Sequence, residues 1–107
     1  MKTERRRHKR VTIPVSYRIP GLSTAKRPVI NMSFGGVRID CDENVDIGQM
    51  LELEFFLPNG ITIDALAKVV WIKKLPPGSE ALYDVGMEFI RLSELAELEL
   101  DAVLNKE

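Results

Sequence analysis

Two short runs in this chain carry residue types that could contact an anionic ligand. Arg6-Arg7-His8-Lys9-Arg10, with Arg5 alongside, is an Arg-x-x-x-Arg element directly ahead of the first β-like segment. Asn31-Met32-Ser33-Phe34-Gly35-Gly36 is an Asn-x-Ser-x-x-Gly element directly ahead of another. A guanidinium group is a permanently charged planar fork that grips phosphate oxygens in pairs and also stacks on a base. Ser33 brings a hydroxyl that donates or accepts, and Asn31 brings an amide donor and a carbonyl acceptor suited to base edges. The paired glycines permit backbone conformations closed to other residues, and Gly36 is expected to let the loop backbone approach a ligand.

Other chemistry is short of parts. His8 is the single histidine and Cys41 the single cysteine, so the inventory offers no internal disulfide and no multi-Cys/His zinc site. A triad needs a base beside its nucleophile, and His8 sits within the basic run. Gly35-Gly36 has no helix after it, which removes a mononucleotide P-loop. Glu52 and Glu54 fall on the outward side of a strand pattern, where solvated surface explains them. The expectation is a binding protein, not an enzyme, with neither a metal nor a cofactor. A lone thiol points to the cytoplasm. Val11 to Ile19 alternates and lacks the apolar run of a signal peptide, and no stretch is apolar enough to span a bilayer, so membrane insertion is not expected.

Charge is divided unevenly. Residues 1–10 carry six Lys or Arg against Glu4 alone, a local charge of +5, whereas residues 11–107 carry nine basic and fifteen acidic side chains, a charge of −6. A basic arm on an acidic body suggests an anionic partner, phosphates or a membrane surface, with a solvated tail as the alternative. The organisation expected is an arm over 1–10 and one domain over 11–107.

The elements that must position these groups are mostly strands. Val11, Ile13, Val15, Tyr17 and Ile19 alternate with polar residues, and Pro14 among them suggests an edge strand or a bulge. Gly21 to Arg27 is a turn-rich connection to Pro28-Val-Ile30 and the Asn31 loop. Val37, Ile39 and Cys41 alternate next, then Leu51, Leu53, Phe55 and Leu57. Pro58-Asn-Gly60 is a turn signal leading to a run in which Ile61, Ile63, Ala65, Ala67, Val69 and Trp71 share a face, which assigns Trp71 to the core. After Pro76-Pro-Gly78, a last strand runs from Tyr83 to Leu92, with Val85, Met87 and Phe89 inward. Ser93 is placed to cap a helix over about 93–106, its Glu94, Glu97 and Asp101 on one side. Five or six strands and a terminal helix permit an open or closed antiparallel barrel. The helix's apolar surface, from Leu95 to Leu104, is wider than one contact needs, so part of it is available to a second subunit or another domain.

The two elements, in this order, followed by Lys68-Val-Val-Trp-Ile72 and Val85-Gly-Met-Glu-Phe89, resemble the signature of PilZ domains, receptors for cyclic di-GMP. That resemblance covers essentially the whole chain. It implies a mainly β fold, an antiparallel six-stranded split β-barrel with a C-terminal α-helix. It also implies cyclic di-GMP as ligand, held by Arg6, Arg10, Asn31, Ser33 and Gly36. Arg5, Arg7, Gly35 and Arg38 are added by position. Arg38 follows Gly36 by two residues and faces the same way. Arg5 is expected to favour two ligand molecules per chain, since a stacked pair presents four phosphates.

As a receptor module the chain would order its arm on the ligand and signal to an effector protein that the sequence leaves unidentified, with a homodimer as a further partner. Two other readings compete. A non-specific nucleic-acid-binding barrel would want exposed aromatics among basic residues, whereas Tyr17, Phe55 and Phe89 lie on apolar faces and the body is acidic. A PilZ-like adaptor without a nucleotide ligand would not need both motifs intact.

Overall fold

The computed structural model describes residues 14–22 and 26–105; Arg5, Arg6, Arg7 and Arg10 lie outside them. Alternating apolar side chains become six antiparallel strands: β1 Ser16–Arg18, β2 Arg27–Met32, β3 Gly36–Cys41, β4 Met50–Phe56, β5 Thr62–Lys74 and β6 Tyr83–Leu92, followed by helix α1, Glu94–Leu104. They are ordered β1-β2-β3-β6-β5-β4, and pairing of β1 with β4 closes the barrel. The fold class is the expected one. The sixth strand is β2, whose Arg27-Pro-Val-Ile-Asn-Met sequence carries no clean alternation.

Five of the six strands, with their flanking residues, turn one alternating set of side chains inward: Val15, Tyr17 and Ile19; Val37, Ile39 and Cys41; Leu51, Leu53 and Phe55; Ile63, Ala65, Ala67 and Val69; Val85 and Met87. Complete burial of a side chain the size of Leu or Phe contributes about 1.5–3 kcal/mol. Phe55 meets the half-buried Phe89 edge-on, with ring centroids 5.9 Å apart. The Tyr17 hydroxyl donates to the Asp40 carbonyl, and burial pushes its pKa up. Pro14 does not mark an edge strand. β1 is paired on both sides, and Pro14 precedes it, exposed.

Side chains and turns tie the ends of the barrel. Gly60 has a φ of 89°, a conformation open to glycine, and lets its N–H donate to the Leu57 carbonyl at 3.0 Å. At the other end Asp42 accepts from the Leu82 N–H at 3.0 Å and from Arg27 Nη1 at 2.5 Å. Those two donors, the Leu82 amide first, hold its carboxyl below the usual range.

Helix α1 starts where Ser93 predicts. Ser93 Oγ accepts from the Ala96 N–H at 3.0 Å, and Glu94 and Glu97 occupy the first turn, where the helix dipole favours negative charge. Ala96, Leu100 and Leu104 are buried in the common core, while Leu95, Leu98 and Ala102 face outward. Replacing Ser93 with alanine removes the cap and is expected to cost about 1 kcal/mol. For a domain of this size the thermal midpoint would drop by roughly 4–8 °C, readable by circular dichroism.

Candidate functional site

The link between β2 and β3 is short and fully engaged. The Ser33 N–H donates to the Gly36 carbonyl at 2.9 Å, and the Gly35 N–H donates to Ser33 Oγ at 3.1 Å. The Gly35 carbonyl accepts from the Phe89 N–H at 2.9 Å, which anchors the link to β6. Ser33 is one of two buried polar or charged residues among those described. Its hydroxyl therefore helps shape the loop.

Gly36 has a structural reason to be small. A Cβ there would lie 2.1 Å from the Met87 carbonyl oxygen, so the β6 backbone occupies the space. Nor do Gly35 and Gly36 exploit glycine's left-handed region; the positive-φ glycines are Gly21, Gly48, Gly60 and Gly78. The pair serves close packing of two strands, and this packing fixes the loop's position on the barrel.

Beside the loop a row of residues crosses four strands. In register, Asn31 of β2 lies opposite Arg38 of β3, Arg38 opposite Gly86 of β6, and Gly86 opposite Trp71 of β5. Trp71 is not a core residue, as strict alternation from Val69 implies. The β5–β6 register shifts between Val69 and Trp71, and the inserted residue turns the indole outward, leaving it 40% exposed. Gly86 makes room for it: a Cβ there would fall 2.2 Å from Trp71 Nε1. The indole covers that gap, with the Arg38 guanidinium 5.9 Å from its ring centroid. Arg38 is also gripped by Asp84, Nε to Oδ1 at 3.0 Å and Nη2 to Oδ2 at 2.6 Å. Asp84 is buried while the Arg38 side chain keeps 42% exposure, so the guanidinium is aimed and still open on one side. Sequence reasoning missed Trp71, Gly86 and Asp84. The glycine inside Val85-Gly-Met-Glu-Phe89 was the available signal, since an isolated strand glycine marks a bulge or a close approach.

The structure thus gathers Asn31, Ser33, Gly35, Gly36 and Arg38 at one place, with Trp71 at the end of the row. Stacking surface, amide, hydroxyl and an oriented cation form a set suited to a base and its phosphate. Away from this row, a groove of ≈ 490 Å³ on the β4–β5–β6 face has Glu52, Glu54, Asp64 and Arg91 as its charged lining. Its predominantly acidic lining is poorly matched to an anion. Among the described residues no group of three or more His, Cys, Asp or Glu could hold a metal ion, and no helix is long and apolar enough to cross a membrane.

A family model for the PilZ domain matches residues 4–106. Among solved structures, the inhibitor of motility MotI/DgrA of Bacillus subtilis superposes with a TM-score of 0.74 at 19% identity, over 97% of this chain and 49% of that one. The PilZ domain of YcgR from Escherichia coli with c-di-GMP gives 0.69 at 17% identity, over 96% of this chain and 91% of that domain. Longer YcgR in complex with c-di-GMP gives 0.70 at 17% identity, over 96% and 46%. The chain therefore spans about half the length of MotI and of the longer YcgR. No curated protein matches the sequence.

Proposed function

The chain belongs to the PilZ domain family, and on that premise we propose that it is a receptor module for cyclic di-GMP, without catalytic activity, that passes ligand occupancy to a partner protein. The observation that carries this is the shared location of the Ser33–Gly36 loop and the Asn31–Arg38–Gly86–Trp71 row, beside the strand into which the basic arm feeds. Two superposing YcgR structures contain c-di-GMP, and the likeness brings the ligand into consideration here.

Reach supports the arm's part in it. The Val15 carbonyl accepts from the Val29 N–H at 2.9 Å, so β1 begins beside the end of β2 that leads to Ser33. Arg10 precedes Val15 by five positions and Val29 precedes Ser33 by four, spans of about 17 and 13 Å when extended. Arg6 and Arg10 are therefore within chain length of the loop, with Arg5 and Arg7 as further cations. In the mechanism proposed, Arg6 and Arg10 meet phosphate and guanine, Asn31 and Ser33 meet base edges, and Arg38 with Trp71 offers a cation and a ring face. Closing the arm over them alters the surface seen by an effector.

Calorimetric titration tests the assignment. Saturable binding of cyclic di-GMP, with no comparable heat from an unrelated oligonucleotide of similar charge, is the expected outcome. Equal binding of both would favour the nucleic-acid reading, and binding of neither the adaptor reading. Stoichiometry in the same titration decides Arg5's role, two ligands per chain being the expected value. Trp71 is the single tryptophan, so its emission is expected to change on saturation; an unaltered spectrum would remove the indole from the site. Amide exchange over residues 3–10 is expected to slow with ligand, and an unchanged rate would contradict arm closure.

A further inference from the structure

Arg38 is held along one edge and open at its tip. Among the hydrogen bonds of the described residues, Asp84 takes Nε and one N–H of Nη2, whereas a guanidinium carries five N–H donors. The end-on fork, Nη1 with the other N–H of Nη2, is left over. Asp84 is only 4% exposed, so the carboxylate that fixes the plane of this fork is itself fixed in the barrel wall.

The charge around the fork is balanced. Asp40, on the same face of β3 as Arg38, stands opposite Asp84 of β6, and Lys73 of β5 stands opposite Asp84 on its other side. Arg38 and Lys73 are thus matched by Asp84 and Asp40, and in the adjoining row Lys68 faces Glu88. A phosphate finds no surplus positive charge here, in contrast to the +5 of residues 1–10.

We infer that Arg38 reads the guanine edge of the dinucleotide and not its phosphates, and that Asp84 is the positioning residue that aims it. The inference rests on the cyclic di-GMP reading above and divides the recognition within that site. A neutral base edge needs donors in fixed directions and no net charge, which is what an arginine compensated by a carboxylate supplies. Guanine offers O6 and N7 as adjacent acceptors for a two-pronged donor, whereas adenine replaces O6 with an amino group whose hydrogens would face the fork. The Trp71 indole, 40% exposed and with its centroid 5.9 Å from the guanidinium, supplies an aromatic surface for the base so held.

Direct and competitive calorimetric titrations with cyclic di-GMP and cyclic di-AMP test it, because the two probes share one phosphodiester ring and differ only at the bases. The parent chain is expected to favour cyclic di-GMP. Arg38→Lys keeps the charge and loses the fork, so that preference is expected to fall by at least about tenfold, through weaker cyclic di-GMP binding with cyclic di-AMP binding little changed. Asp84→Asn is expected to lower the same ratio, and to lower it no further in an Arg38→Lys background, since it acts through the arginine. Asp84→Glu, which keeps the charge and displaces the fork, takes its place if the neutral variant does not fold. Equal weakening of both dinucleotides by Arg38→Lys is the pattern of a phosphate contact or a loosened barrel, and it overturns the inference while leaving the receptor reading intact. A ratio that falls in Arg38→Lys but not in the Asp84 variants rejects Asp84 as the aiming residue. A parent chain that binds neither dinucleotide overturns the receptor reading and this inference together.

Discussion

Gly36→Ala is expected to lose about 3 kcal/mol of stability or more, lowering the thermal midpoint by roughly 12 °C or further. The added Cβ would sit 2.1 Å from the Met87 oxygen, 3.1 Å from its carbonyl carbon and 3.3 Å from Glu88 Cα. All three are backbone atoms, so no flexible side chain can give way, and β3 must separate from β6. Gly86→Ala is the informative contrast. The three atoms nearest its Cβ would all belong to the Trp71 indole, with Nε1 at 2.2 Å and Cε2 at 2.3 Å, and a partly exposed ring can swing aside. That variant is expected to keep most of its stability while shifting tryptophan emission. If denaturation curves show Gly36→Ala as stable as the parent, β3 and β6 are not in the close contact described.

Arg10→Ala and Ser33→Ala are each expected to weaken cyclic di-GMP binding by more than tenfold. A micromolar complex needs about 8 kcal/mol, and association itself costs roughly 4 kcal/mol or more. Charge-assisted hydrogen bonds yield about 1.5–3 kcal/mol each, so neither motif suffices alone and removal of one strong donor is costly. Ser33→Ala carries a second penalty. It also deletes the acceptor for the Gly35 N–H, loosening the loop that follows Asn31. An affinity unchanged by either substitution in calorimetry, with the barrel still folded, would reject the assigned site.

Much of this fold was legible because period two persists wherever a strand has one face in the core. Leu51, Leu53 and Phe55, or Val37, Ile39 and Cys41, need no tertiary information to orient them. Legibility ended at the register shifts. One inserted residue between Val69 and Trp71 reverses facing, and nothing in the local pattern of Val69-Val70-Trp71-Ile72 announces it. β2 was obscure for a related reason. Its own pairing with β3 shifts between Val29 and Asn31, so its buried residues, Val29 and Met32, are three apart.

The site divides along the same line. Asn31, Ser33, Gly36 and Arg38 stood out by spacing, and the structure brings them together. The packing constraint at Gly36 was not legible, because the Met87 carbonyl comes from a strand some fifty residues further on. Asp84 was invisible as Arg38's partner for a similar reason: the two are 46 residues apart, and only barrel closure makes them neighbours.

Closure of the cylinder depends on three residues, Ser16–Arg18, joined to β2 on one side and β4 on the other. So brief a stave is where the wall parts most easily, since opening free energy scales locally with the bonds and contacts that must be broken. The arginines proposed to clasp the nucleotide lie just upstream on the same covalent thread. A nucleotide that tethers them would therefore also hold the seam shut; the messenger would then act as a rivet, and its concentration would set how often the cylinder breathes.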